Sequence, residues 1–126
     1  MKLSLVSIEK AGFVHLAAEG EITSRDFGET GKNPLEEVLG ATWPGYNIML
    51  SLEKTGFLDS SALGWLINSQ RQCKEKGGKF VLHSAPPRVR EVFDLLKMRA
   101  VLNLKDNEAA AREVFAAGAG VNGDSK

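Results

Sequence analysis

Leu58-Asp59-Ser60-Ser61-Ala62-Leu63-Gly64 is the stretch whose reading decides the fold. Upstream, Ile48 to Leu52 is an unbroken apolar run, the pattern of a buried strand, and a short turn is expected at Thr55-Gly56. Asp59-Ser60-Ser61 then offers three side-chain oxygens in a row, which suits a helix start with its unpaired backbone N–H groups. In the helix that follows, Leu63, Leu66, Ile67, Gln70 and Lys74 share one stripe, and Lys76-Gly77-Gly78 supplies a cation-then-glycine stop. The result is a strand, a turn and a helix with serines at the helix mouth.

Working outward, Leu3 to Glu9 and Phe13 to Ala18 are strand-like and joined by Lys10-Ala11-Gly12, short enough for an antiparallel hairpin. Glu19 to Asp26 is polar and reads as a loop entering a short helix. Gly28-Glu29-Thr30-Gly31-Lys32 lacks the spacing of a phosphate loop and the hydroxyl residue after its lysine, so an ordinary flexible loop is expected. Asn33-Pro34 is an N-cap and first-turn pair opening a helix that stops at Gly40. Trp43 lies in a turn and is expected to cover the sheet edge. Lys79 to His83 is another strand, Pro86-Pro87 opens a helix with Val89, Val92, Phe93 and Leu96 on one face, and Val101 to Leu104 is a last strand. Asn107 to Ala117 forms a terminal helix.

From Asn47 onward strands and helices alternate, the order of parallel βαβ units, and the initial hairpin makes the sheet mixed. The expected architecture is therefore an α/β domain over residues 1–117, with helices packed on a mixed sheet and a flexible tail over 118–126. In open α/β sheets, functional groups gather beyond the carboxyl ends of the parallel strands, where Asp59 to Ala62 would lie.

Composition narrows the function classes. With 126 residues, 43% apolar and 25% charged, the chain is sized for one ordinary core. Sixteen basic and sixteen acidic residues cancel, so no global field steers it to nucleic acid or an anionic membrane. No apolar run reaches the roughly 18 residues that span a bilayer, and a cytoplasmic protein is expected. Cys73 is the single cysteine, read as a small packed residue. His15 and His83 fall in strands and are read as packed or solvent-facing rather than as ligands; neither a metal nor a cofactor is expected.

At the helix mouth a serine nucleophile would need a Gly-x-Ser-x-Gly elbow and a basic partner, and neither is evident around Ser60 or Ser61. A hydrolase is therefore the last-placed reading, and Asp-Ser-Ser by patterning alone is a helix cap. The heptapeptide nonetheless resembles the Asp-Ser-Ser-Gly-Leu-Gly signature of the STAS domain, the family of bacterial anti-sigma-factor antagonists. Gly20-Glu21-Ile22 is similar to that family's Gly-Glu-Leu after the second strand, and Lys76-Gly77-Gly78-Lys79 to its Gly-Gly before the next strand. Pro87 to Leu96 resembles its Pro-x-Val-x-x-x-Phe helix. The order of elements agrees from about residue 2 to residue 116.

This resemblance implies a non-enzymatic protein-binding module whose partner is an anti-sigma factor, often a serine kinase. It implies phosphorylation of the first serine after the aspartate, here Ser60, which ends the interaction. Asp59, Ser60, Ser61, Ala62, Trp65, Thr23 and Ser24 are the implied partner-binding residues. Two positions depart from the pattern: Ala62 replaces the usual glycine, and Thr23 stands where many antagonists carry an aspartate. The alternative within the family is a scaffold or sensor subunit that binds other STAS domains or a small ligand without phosphorylation. Trp65 lies about 140° around its helix from the apolar stripe and is expected to be exposed at an interface one turn from Ser60, the alternative being that it packs under the Thr23 to Lys32 loop.

Overall fold

A computed structural model describes residues 1–27 and 33–121, with side chains through Ala116. Its strands are β1 (Lys2–Glu9), β2 (Phe13–Ile22), β3 (Asn47–Leu58), β4 (Phe80–His83) and β5 (Asn103–Lys105). Its helices are α1 (Pro34–Leu39), α2 (Ser60–Glu75), α3 (Pro87–Leu95) and α4 (Glu108–Val121), with short 3-10 turns at Ser24–Phe27, Trp43–Gly45 and Met98–Ala100. The five strands form one sheet in the order β1-β2-β3-β4-β5. β1 and β2 are antiparallel and the remaining pairs are parallel, so the mixed α/β sheet has its hairpin and its βαβ units where expected. Gly28 to Lys32, expected as a flexible loop, and residues 122–126 of the expected tail lie outside the described residues. α4 itself continues beyond Ala117 to Val121. Among the described residues no helix is long and apolar enough to cross a membrane.

Alternation along the strands sorts the side chains onto two faces. Val14, Leu16 and Ala18 of β2, Ile48, Leu50 and Leu52 of β3, and Phe80 and Leu82 of β4 form the larger core with Leu35 of α1, Leu66 of α2 and Phe93 of α3. The opposite face carries Phe13, Met49 and Val81 against Ala111 and Phe115 of α4, with the Phe13 and Phe115 rings stacked at 4.4 Å. Burying each of the larger apolar side chains contributes about 1.5–3 kcal/mol relative to exposure. Trp43 belongs to the larger core, and Cys73 is a packed thiol.

The turn expected at Thr55-Gly56 does not form, because β3 runs without interruption to Leu58. Its second half pairs with an equally extended β2, placing Glu21 beside Phe57 and Ile22 beside Leu58. Register shifts after Ala17 and Glu19 break the two-residue period there, which is why the sequence alternation fades while the strands continue. Thr55 is fully buried, and its hydroxyl donates to the Ala18 carbonyl at 2.9 Å. This bond spans the irregular stretch of the β2–β3 pair.

The buried stripe of α2 is also rotated from the expected one. Ala62, Leu63, Leu66, Ser69 and Cys73 face inward, while Lys74 is exposed. Gln70, expected on the stripe, bridges to β5: its side chain donates to the Val101 carbonyl at 2.5 Å and accepts from the Asn103 N–H at 2.9 Å. At the end of α2, a Cβ on Gly78 would stand 3.0 Å from the Tyr46 carbonyl oxygen, so a side chain there would press on that backbone.

Thr55→Val keeps the shape but leaves the Ala18 carbonyl without its hydroxyl donor. It should lower unfolding free energy by about 1–3 kcal/mol, read from urea midpoints at unchanged m-value. A change below about 0.5 kcal/mol would show that the bond does not secure the β2–β3 extension.

Candidate functional site

β3 delivers the chain directly to Asp59, whose backbone N–H donates to the Ile22 carbonyl at 3.2 Å. Asp59 is the N-cap of α2, in extended conformation, with Oδ1 accepting from the Ala62 N–H at 3.0 Å. Its Oδ2 accepts from the Ser24 N–H, also at 3.0 Å. One carboxylate thus ties the first turn of α2 to the turn that follows β2. A negative group at this end of the helix is further stabilised by the helix dipole. Asp26 performs a similar local task, accepting from the Thr23 N–H at 2.8 Å, so the loop carries an acidic residue although Thr23 itself is not one.

Because Asp59 is the cap, Ser60 is the first helical residue. Ser60, Ser61 and Ser24 are exposed, and Asp59 and Thr23 are half-buried. Gly64, one turn beyond Ser60, is also exposed and adds no side chain to that face. The structure therefore gathers Thr23, Ser24, Asp59, Ser60 and Ser61 at one mouth. Ala62 is different: at 0% exposure its methyl group belongs to the core, which corrects its place among the surface contacts. The inward rotation of α2 is the cause.

Trp65 also requires correction, since it is only 6% exposed. It does point away from the sheet stripe, but Phe27 covers it with ring centroids 5.5 Å apart. Its indole N–H donates to Asn33 Oδ1 at 2.9 Å, the same oxygen that caps α1 through the Leu35 N–H. Asn33 Nδ2 in turn donates to the buried Ser69 hydroxyl at 3.4 Å. The tryptophan is thus an anchor for α1 and the Ser24–Phe27 turn. Beside it, a cavity of about 460 Å³ is lined by residues including Ser24, Phe27, Asn33, Ser61, Gly64 and Trp65.

A second group of polar side chains lies on the α4 face of the sheet. His15 and His83 are 5% and 3% exposed, as packed strand residues, and their Nε2 atoms are 3.1 Å apart. Burial holds both imidazoles below the usual histidine pKa, and Arg112 acts in the same direction while Glu108 opposes it. His15 is also raised by Glu9 and His83 by Glu53, whereas His15 lowers its neighbour. The sequence places each histidine in a strand; only the strand order, with β3 alone between β2 and β4, brings them together.

Asp59→Ala removes the cap and should cost about 0.5–2 kcal/mol, with loss of amide protection at Ser24 and Ala62. Ser60→Ala should stay within about 0.5 kcal/mol of the parent, because Ser60 does not cap the helix. Equal destabilisation by the two changes in urea denaturation would contradict this division of roles.

Residues 9–111 match the sequence profile of the STAS domain. An anti-sigma F factor antagonist from Paenibacillus polymyxa is 31% identical over 65 residues, covering 52% of this chain and 56% of that protein. The match thus spans about half the length of that relative. A Thermotoga maritima protein, described as a candidate anti-sigma factor antagonist, superimposes with a TM-score of 0.73 at 24% identity, covering 87% of this chain and 92% of its own. The phosphorylated form of the Bacillus cell fate determinant SpoIIAA superimposes with a TM-score of 0.58 at 23% identity, covering 90% and 97%. These likenesses are likenesses of fold, and the profile match adds the sequence, running from the end of β1 through the capped helix mouth and into α4. The chain belongs to the STAS domain family.

Proposed function

We propose that this chain is a regulatory, non-enzymatic module that antagonises an anti-sigma factor by binding it through the mouth of α2, and that phosphorylation of Ser60 by a serine kinase ends the interaction. The observation that carries this reading is the exposed Ser60 in the first turn of a 16-residue helix whose cap is supplied by Asp59. Its hydroxyl can be modified without removing the cap. The name of the Paenibacillus relative supports the class of partner, and the phosphorylated form of the Bacillus neighbour supports phosphorylation as chemistry this fold tolerates.

A phosphate on Ser60 would carry about −1.5 to −2 charges at pH 7 and sit where backbone N–H groups and the helix dipole favour an anion. Asp59 opposes it, but both Asp59 oxygens already accept N–H hydrogen bonds, and the mouth is open to solvent screening. The fold therefore tolerates the modification. Partner binding does not, because a protein covering Ser60 must strip water from the phosphate or face it with groups that match the hydroxyl. Each ~1.4 kcal/mol of that penalty weakens affinity tenfold. Thr23, Ser24, Asp59 and Ser61 form the contact surface around it, and Trp65 holds that surface in shape from beneath. No base is needed in this chain, since a kinase brings the groups that orient the serine and ATP. The cytoplasm, where sigma factors and ATP are found, is the compartment this reading assigns, and residues 1–117 are the unit to which it assigns the function.

The test uses the full chain incubated with ATP and the cognate anti-sigma factor, with intact mass and peptide mapping as readout. One phosphoryl group on Ser60 is expected, and none on Ser60→Ala. Ser60→Ala should bind the unphosphorylated-state partner with parental affinity, whereas Ser60→Glu and the phosphoprotein should bind at least about tenfold more weakly at nearly unchanged melting temperature. Equal affinity in all forms, or weak binding accompanied by unfolding, contradicts the switch. Absence of phosphorylation together with association between STAS domains would instead establish the scaffold reading.

A further inference from the structure

The α4 face carries a feature that binding through the helix mouth does not use. His15 of β2, His83 of β4 and Glu108 at the start of α4 bring their ligand atoms within 4.8 Å of one another. The two Nε2 atoms are 3.1 Å apart. A tetrahedral zinc site with Zn–N bonds of ~2.0–2.1 Å places neighbouring ligand atoms roughly 3.3 Å apart, so the imidazole pair already has nearly the required edge. We propose that His15 Nε2, His83 Nε2 and the Glu108 carboxylate bind one divalent transition-metal ion of the zinc type, with water in the fourth position.

The surroundings support a cation rather than a merely packed pair. His83 Nδ1 lies 2.7 Å from Ser84 Oγ, so the ring can donate its Nδ1 proton there and keep the Nε2 lone pair directed at His15. Such a partner on the remote ring nitrogen is what orients a ligating histidine. Ser84 makes this contact at φ 62°, a left-handed conformation that is unfavourable for serine. A cavity of about 300 Å³ reaches the cluster and is lined by His15, Glu108, Glu19, Glu53 and Lys54 among others, which gives an entry path with more carboxylates than cations.

Arg112 is the competing charge. Its Nε donates to Glu108 Oε2 at 2.8 Å and its Nη1 to Glu9 Oε1 at 2.9 Å. Glu9 therefore keeps the guanidinium anchored when Glu108 turns inward. The Glu108 side chain is 48% exposed and has the freedom to make that turn. Ion binding would then pin the first turn of α4 to two strands of the sheet. This assignment is independent of the Ser60 reading, because its ligands lie on the other face.

The experiment uses the chelator-treated full chain with CoCl₂ and ZnCl₂ as probes. One Co²⁺ per chain with the intense visible absorption of a tetrahedral site is expected, displaced by Zn²⁺, and each ion should raise the melting temperature. His15→Asn and His83→Asn should abolish the absorption, and Glu108→Gln should weaken binding by at least about tenfold. Should a histidine variant fail to fold, ring ¹⁵N resonances of the wild-type protein decide: Zn²⁺ should shift Nε2 of both histidines to metal-bound values. Unshifted Nε2 resonances in excess Zn²⁺, weak octahedral Co²⁺ absorption, or full binding retained by a folded histidine variant would overturn the site.

Discussion

The bidentate engagement of the Asp59 carboxylate is the interaction on which the proposed binding surface depends. One oxygen closes the first turn of α2 and the other holds the Ser24 N–H, so the end of β3, the start of the helix and the turn after β2 share a single fixed group. The geometry requires β2 and β3 to end side by side, and the pairing of Ile22 with Leu58 provides that. Because an anionic side chain serves as the cap, the serine after it is released from structural duty. A serine whose proposed phosphorylation would change its charge is thereby placed at a helix N-terminus without supporting the helix.

The sheet separates two kinds of chemistry. On the side of α1, α2 and α3, a large apolar core supports an outer rim of hydroxyls at the helix mouth, with Trp65 and Asn33 fixing the segments that frame it. On the side of α4 the apolar cluster is smaller, and beyond it His15 and His83 meet near Glu108, Glu9 and Arg112. A strand contributes to both faces by alternation alone: Val14 and Leu16 enter the first core, whereas Phe13 and His15 face α4. Changes to one face can therefore be made with little direct effect on the contacts of the other.

Local signals were the readable ones. Asn33-Pro34 announces α1 because capping needs only neighbouring atoms, and Lys10-Ala11-Gly12 announces the hairpin because Gly12 takes a positive φ of 97° in a tight turn. The oxygens of Asp59-Ser60-Ser61 marked the start of α2 for the same reason. Features that depend on tertiary pairing were not readable. The second half of β3 loses its alternation through the register shifts against β2, so its continuation could not be seen in one strand alone. Helical geometry turned Trp65 away from the sheet and left two places for it, a partner interface or the underside of the Thr23 to Lys32 segment; the contacts with Phe27 and Asn33 decide for burial. The histidine pair is separated by 68 positions and becomes a pair only through the strand order.

The central claim is that the helix mouth separates structural capping from switchable charge. Residue-resolved amide hydrogen exchange on the Ser60-phosphorylated chain tests it most directly, because the Ala62 and Ser24 N–H groups report on the two Asp59 hydrogen bonds individually. The account predicts protection at both amides, and through α2, within a small factor of the unphosphorylated protein. Loss of protection at Ala62 and Ser24, spreading along α2 when the phosphate is present, would contradict it.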